Sequence, residues 1–418
     1  MTTDIYVLGA GSIGCLFSYY LKKYNNNVTL IIRNKKDNQV SIDNVQKPLS
    51  VEFKYKSSEG KPIDTDTIQC IVKTPTQIKL NKEEIKILLI TTKSPDTLQA
   101  IQSIESSLHS ECVIILMQNG VLGTYSLLTE YFLKKHQQDK IKLPRILTGT
   151  TSNGSYRISS LNIVHAGKGT TFIGEPQGEY TQLYNEQHSN SNIDFLQIIN
   201  KQFSPLNELD VTVYTEPQDY TTKLLPLLQT KLIVNACLNP LTALFECLNG
   251  WIVDSIQVEN QTLKNMDRQK HPCNTMIKEI CQEAAWVLVE EEDENNYNKI
   301  KTNQILDLPI SSHHLSEKAK RQAELWEINV IDVGKKTYLN RNSMLQDIDA
   351  KRAVTEIEFL NGYLVKEAHK KYQRLIQNSY NDSNINSSNN NNNNKTILKV
   401  NEMLVHLIEI KSWIRSQN

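Results

Sequence analysis

Lys231, Asn235 and Asn239 recur at every fourth position of the stretch Lys231-Leu232-Ile233-Val234-Asn235-Ala236-Cys237-Leu238-Asn239-Pro240. That spacing places them along one face of an α-helix. The residues between them are apolar, so the helix is expected to be largely buried. A buried ammonium and two buried amides then need partners, because each unsatisfied polar group costs roughly 1–3 kcal/mol. Two uses fit such a stripe. It can be a structural hydrogen-bond network between helices, or a polar line facing a substrate cleft. In the second case a lysine can act as general acid, and its charge polarises a carbonyl. Pro240 should kink or end the helix near Asn239. His165 and His271 are alternative acids, but each is isolated, and a lone histidine is more often structural.

A second group of residues points to a nucleotide. Gly9-Ala10-Gly11-Ser12-Ile13-Gly14 follows an apolar run, Ile5-Tyr6-Val7-Leu8, and opens a helical pattern. In that context the first glycine permits a tight turn, the second admits a pyrophosphate and the third allows close helix–strand packing. The helix N-terminus offers N–H groups and a positive dipole end to the phosphate. The next strand, Val28-Thr29-Leu30-Ile31-Ile32, ends in Arg33-Asn34-Lys35-Lys36 rather than in an acid. An acid would accept from the ribose 2′-OH, whereas arginine suits a 2′-phosphate, so NADP is expected. Two more strand ends carry polar residues to the same crevice, Lys93 after Leu88–Thr92 and Gln118-Asn119-Gly120 after Ile114–Met117.

These residues need a scaffold. Apolar strands are expected at 4–8, 28–33, 87–92, 112–117, 146–150, 161–165 and 170–174, with helices such as 13–23 and 96–107 between them. Near-continuous apolar strands with crossover helices indicate a parallel sheet covered on both faces. After about 216 the strand signal stops, and 221–249, 274–294, 350–374 and 397–415 carry helical spacing. The expected fold is an α/β Rossmann-type dinucleotide-binding domain, residues 1–215, followed by an all-α domain, residues 216–418. Three polar stretches look like additions: 34–85, with room for a hairpin; 290–304, with five acids from Glu290 to Glu294; and 377–395, ending in six asparagines, Asn389 to Asn394. Each is expected to be a solvated loop, the last one disordered.

Composition narrows the function classes. Among 418 residues, 46 Lys and Arg balance 46 Asp and Glu, which argues against a general nucleic-acid surface. No apolar run approaches the roughly 18 residues that span a bilayer. Seven cysteines, at 15, 70, 112, 237, 247, 273 and 281, are odd in number and show no close pairs. They suit reduced thiols better than disulfides or a zinc site. No presequence is recognisable, so a cytoplasmic address is the expectation, with import by an internal signal left open. A dimer face on the helical half is left open too.

The chain resembles the ketopantoate reductase family (2-dehydropantoate 2-reductases, ApbA/PanE-like proteins) over nearly its whole length apart from the inserts. The resemblance rests on GAGSIG at 9–14, LLITTKS at 88–94, QNGV at 118–121, HAGKGTTFIG at 165–174, KLIVNACLNPLTAL at 231–244, NG at 249–250, SMLQD at 343–347 and TEIEFLNGYLV at 355–365, in family order. The asparagine-rich inserts look similar to those of lower eukaryotic, yeast-like proteins. The resemblance implies a Rossmann domain joined to a helical domain of the 6-phosphogluconate dehydrogenase type, with the active site between them. It implies NADPH-dependent reduction of a small 2-keto acid, 2-dehydropantoate, to (R)-pantoate for pantothenate and coenzyme A.

Carried over by motif position, Lys231 would be the general acid. Asn119 would lie near nicotinamide and substrate, while Asn235, Asn239 and Asn249 would hold substrate and lysine. Asn340 and Ser343 would bind the substrate carboxylate or hydroxyls. Glu356 would contact the substrate hydroxyl and the cofactor side, and Arg33 and Lys93 the cofactor. The interval from Ser343 to Glu356 looks one residue longer than the family pattern. Within a helix that residue would rotate the later side chains by about 100°, and within a turn it would be absorbed. Two other readings stand beside this one: a reductase of another 2-keto acid, and a non-catalytic nucleotide-binding relative, since fold does not fix function.

Overall fold

The computed structural model describes residues 4–24, 26–33, 45–56, 64–189, 194–253, 272–289, 309–311, 314–382 and 396–417. The chain forms two compact units, Met1–Leu228 and Gln229–Asn418. The acidic run Glu290–Glu294, the asparagine run Asn389–Asn394, His271 and the basic residues after Arg33 lie outside the described residues.

The first unit runs β1 (Asp4–Leu8), α1 (Ser12–Lys23), β2 (Asn27–Ile31), β3 (Val45–Phe53), β4 (Asp64–Lys73), α2 (Pro75–Leu80), β5 (Ile85–Ile90), α3 (Ser94–Gln102) and β6 (Leu108–Leu116). It continues with α4 (Val121–Asp139), β7 (Arg145–Thr151), β8 (Gly154–Ser159), β9 (Asn162–Gly167), β10 (Thr171–Gly174), α5 (Glu179–Gln187), α6 (Phe195–Phe203) and β11 (Val211–Tyr214). The strands form one sheet in the order β11-β10-β7-β6-β5-β1-β2-β4-β3-β9-β8. Its centre is parallel, with Leu8 of β1 beside Ile31 of β2 on one side and Ile90 of β5 on the other. Ile5, Val7, Leu88, Leu89, Ile114 and Ile115 are wholly buried, as strands covered on both faces must be. Strand order reverses at β1, so the carboxyl ends of β1, β2 and β5 surround a topological switch point.

The stretch 34–85 was expected to be a solvated addition with room for a hairpin. The hairpin exists, pairing Val45 with Val72 through to Phe53 with Asp64, but it belongs to the sheet and the core. β4 runs parallel to β2 and β3 runs parallel to β9, while Leu49, Val51, Phe53, Cys70 and Val72 are buried. Alternation hid this, because most exposed positions of both strands are polar and pull the average composition down. The hairpin explains α1, whose residues Gly14–Leu21 are all buried. A helix apolar all round needs cover on all sides. Here β2 and β4 lie against it, and so do β3, β8 and β9.

The last strand ends at Tyr214, close to the expected boundary at 215/216, yet the units part at Leu228/Gln229. Tyr220 and Leu224, in the π-helical turn Tyr220–Leu224, lie where a Cβ on Gly174 of β10 would meet them. That turn therefore packs with the sheet.

The second unit contains no strand among the described residues. Its helices are α7 (Leu225–Phe245), which starts in the first unit, α8 (Asn249–Val253), α9 (Pro272–Leu288), α10 (Glu317–Lys336), α11 (Ser343–Asp349), α12 (Asn361–Asp382) and α13 (Lys399–Gln417). The stretch 350–374, expected to be one helix, is instead a turn, a 3₁₀ segment at Glu356–Phe359 and then α12. Lys351 in that turn has φ 52, so α11 stops before it and the interval to Glu356 is not one continuous helix. Pro240 does not end its helix, since α7 continues to Phe245. Among the described residues no helix is long and apolar enough to cross a membrane.

Candidate active site

In the first unit the polar residues expected to meet a nucleotide gather at the carboxyl edge of the parallel strands. The strand ends are knitted together: Thr91 N–H donates to Leu8 O at 3.0 Å, Met117 N–H to Ile90 O at 3.0 Å and Gly9 N–H to Ile31 O at 3.1 Å. Helices α1, α3 and α4 all begin at this edge. Their capping residues Gly11, Lys93 and Gly120 place no side-chain acceptor on the first N–H groups. Such ends favour an anion.

The glycine loop tests the fit to a dinucleotide. Gly9 has φ +116, and a Cβ there would strike the backbone of Thr91 and Thr92. A Cβ on Gly14 would run into Gly9 O and the Thr91 hydroxyl. These two glycines are required by the turn and by the packing of α1 on the strand ends. Gly11 differs, because the nearest atom to a Cβ there is Thr91 O at 3.9 Å. The fold leaves open space over Gly11, on the side where a pyrophosphate would approach the backbone. Ala10, Ser12 and Ile13 are half-buried around it. The loop therefore fits a dinucleotide.

Arg33 lies just beyond β2, largely exposed, and pairs with Asp96 in the first turn of α3. Lys93 and Asn119 are exposed at the rim. Their loops are joined by the Ser94 hydroxyl, which donates to Asn119 O at 2.5 Å and accepts from the Thr124 hydroxyl at 2.9 Å. Gln118 is turned inward and donates to the Thr97 hydroxyl at 3.0 Å. His165 is wholly buried against Tyr20 Oη at 3.0 Å, within the tyrosine-rich packing between α1 and β9. That is a structural setting.

In the second unit α7 carries Lys231, Asn235 and Asn239 as the spacing required. Burial pulls Lys231 down from the ordinary lysine value to about 8, and the opposing influence is the negative charge of Glu356. Glu356 is buried, and its Oε1 accepts from Asn239 Nδ2 at 3.1 Å and from the Ser343 hydroxyl at 2.6 Å. Four expected residues are thus brought into one polar cluster from three segments. The interval that looked one residue long contains the turn at Lys351, and Glu356 after it meets both Ser343 and Asn239. Asn235 is half-buried one turn from Lys231.

Asn249 and Asn340 meet a different set of partners. Asn249 Nδ2 donates to the Thr337 hydroxyl at 2.9 Å, and its Oδ1 accepts from Asn342 Nδ2 at 3.2 Å. Its backbone N–H meets Asn340 O at 3.2 Å, while Asn340 itself is exposed. The buried member of that segment is Asn342, which sequence reasoning passed over. Asn342 caps α11 by accepting from Leu345 N–H at 3.1 Å and donates to the Thr242 hydroxyl on α7. Asparagine directly before Ser343-Met344-Leu345 is a helix-start signal, so the cap was readable.

The cluster pairs a half-buried cation of lowered proton affinity with a buried carboxylate fixed by an amide and a hydroxyl. It can donate a proton to an oxygen that gains charge, and it can accept a hydroxyl hydrogen. Comparison with known proteins shows what the whole chain is similar to. Two family models match, Ketopantoate reductase PanE/ApbA over residues 5–178 and Ketopantoate reductase PanE/ApbA C terminal over residues 224–375. A Schizosaccharomyces pombe protein named probable 2-dehydropantoate 2-reductase is 27% identical, covering 88% of this chain and 91% of its own. The structure of 2-dehydropantoate 2-reductase from Methylococcus capsulatus shares the fold with a TM-score of 0.57 at 15% identity, covering 100% of this chain and 99% of its own. A ternary structure of D-mandelate dehydrogenase with NADH and anilino(oxo)acetate does so with a TM-score of 0.60 at 15% identity, covering 99% of each chain.

Proposed function

This chain belongs to the ketopantoate reductase family, whose members use a nicotinamide dinucleotide, and from that premise we propose that it reduces 2-dehydropantoate to (R)-pantoate with NADPH. The observation that carries this reading is Lys231, a half-buried lysine brought down to about 8 by desolvation and electrostatically coupled to a carboxylate that Asn239 and Ser343 hold.

When bound, the dihydronicotinamide supplies the hydride that becomes the new C–H bond at the keto carbon. Gly9, Gly11, Gly14 and the first turn of α1 would hold its pyrophosphate, with Lys93 and Asn119 on the rim. The protein then has to manage one oxygen. As the carbonyl bond gives its electron pair to that oxygen, Lys231 offsets the developing charge and delivers the proton, leaving a hydroxyl. A lysine with a value near 8 is mostly charged at neutral pH yet gives its proton up more readily than an exposed one. Glu356 accepts the substrate hydroxyl hydrogen, and the amides of Asn235 and Asn239 orient the substrate beside the lysine.

NADP preference is supported by Arg33 at the end of β2, where an NAD-preferring site usually has an acid. Asp96, paired to Arg33 here, would release the guanidinium to a 2′-phosphate. A reducing, cytoplasmic setting suits seven cysteines that form no disulfide. D-mandelate dehydrogenase shares this fold, so substrate identity has to be measured directly. Cofactor oxidation should be followed with 2-dehydropantoate and a panel of other 2-keto acids, using NADPH and NADH in parallel. The expected result is the highest kcat/KM for 2-dehydropantoate with NADPH. A higher value with another keto acid would overturn the substrate, and a higher value with NADH would overturn the cofactor.

A further inference from the structure

Pro240 creates a specific defect in α7. A proline has no backbone N–H, so the carbonyl four residues before it loses its intrahelical donor. That carbonyl belongs to Ala236, between Asn235 and Asn239 on the stripe that begins at Lys231. A buried carbonyl without a donor costs about as much as a lost hydrogen bond. The structure supplies a donor from outside the helix: Asn361 Nδ2, at the start of α12, reaches Ala236 O at 3.1 Å.

Asn361 is itself held by a chain of groups whose polarity admits one orientation. Its Nδ2 also donates to Asn401 Oδ1 at 2.9 Å. Asn401 Nδ2 donates to Glu283 Oε2 at 2.7 Å, so a carboxylate ends the chain and can only accept while ionised. Turning Asn401 over would set an amide oxygen against that carboxylate, and turning Asn361 over would set oxygen against Ala236 O and Asn401 Oδ1. Glu283 is fixed in turn at the N-terminus of α13, where it accepts from Val400 N–H at 2.8 Å and Asn401 N–H at 3.0 Å. A carboxylate is favoured at a helix N-terminus. Asn361 and Asn401 are wholly buried and Glu283 nearly so. Among the described residues Asn361 Oδ1 is buried and meets no hydrogen-bond donor, so this amide is placed for its two donors.

We infer that Asn361, Asn401 and Glu283 form a positioning relay that holds α7 in its proline-interrupted form and thereby sets Lys231 relative to Asn239 and Glu356. None of the three needs to touch substrate or cofactor; they are positioning residues. The inference rests on the reading of Lys231 as proton donor.

The test is a double-mutant cycle between Asn361→Ala and Pro240→Ala, with kcat, KM, the pH profile and the unfolding midpoint read for each protein. In the Pro240 background Asn361→Ala should lower kcat about 10-fold, because a small displacement of a catalytic group is enough, while KM changes less than about twofold. It should also move the alkaline limb of the kcat profile, which a merely structural defect would not do. In the Pro240→Ala background an N–H at position 240 can serve Ala236 O, and Asn361→Ala should change kcat and midpoint by less than about half as much. Equal effects in both backgrounds, or no effect of Asn361→Ala in the first, would overturn the relay. Should Asn361→Ala not fold alone, the double variant is expected to fold, and its failure to do so would also overturn it. Failure of the lysine reading is separate, since Lys231→Ala would then leave turnover intact.

Discussion

At the scale of the residue, the proposed chemistry depends on the protonation of Lys231. Its value of about 8 places the loss of the proton within reach of ordinary assays, so kcat should fall as pH rises through that region. Glu356 opposes the downward shift, so Glu356→Gln should move the alkaline limb to lower pH as well as lower kcat. A limb that stays in place in the Glu356→Gln variant would separate the two groups. The same shift bears on stability. Between about 8 and the ordinary value of 10.5 the unfolded chain binds more protons at this site than the folded one, so stability should rise with pH there. Lys231 and Asn239 were legible because four-residue spacing in an apolar helix is a strong pattern. Asn361 and Glu283 were not, because their partners lie 125 and 117–118 residues away and neither has a local periodic companion.

At the scale of the element, the glycine loop separates folding from binding. Gly14→Ala places a Cβ against Gly9 O and the Thr91 hydroxyl, and overpacking of this kind costs typically about 1–3 kcal/mol. Gly11→Ala meets nothing closer than 3.9 Å in the protein. It should leave the unfolding midpoint nearly unchanged while raising KM for NADPH at least about 10-fold, by intruding on the pyrophosphate. Unchanged KM in Gly11→Ala would contradict the placement of the cofactor. The parallel strands were readable as continuous apolar runs. The 45–53 and 64–73 hairpin was visible only as a polar stretch with room for strands, because half of each strand faces outward. β8, half-buried or exposed throughout, has no apolar run to read, β11 is a brief alternation of four residues, and α10, at 317–336, was missed amid charged residues that cover its outer face.

At the scale of the whole molecule, each of the two units carries one part of the proposed chemistry: the first a strand edge that fits a dinucleotide, the second the polar cluster of Lys231, Asn239, Ser343 and Glu356. Acid should unfold the protein partly through His165, which burial holds at about 4 against an ordinary 6.5. As pH falls from 6.5 toward 4 the unfolded chain takes up this proton first, so stability falls across that window. His165→Gln should flatten this part of the curve of midpoint against pH, and an unchanged slope would assign acid sensitivity elsewhere. Sequence separated an α/β part from a helical part because the hydrophobic period changes near 215. It could not place the division at Leu228, which depends on Tyr220 and Leu224 packing by Gly174.

The proton delivered from α7 is the step on which the proposed reduction turns. Steady-state oxidation of NADPH with saturating 2-dehydropantoate should be measured for the wild type and for Lys231→Ala at pH 7, after thermal unfolding has shown both to be folded. Loss of the general acid should lower kcat by at least about 10²-fold. Equal kcat in the two proteins would contradict it.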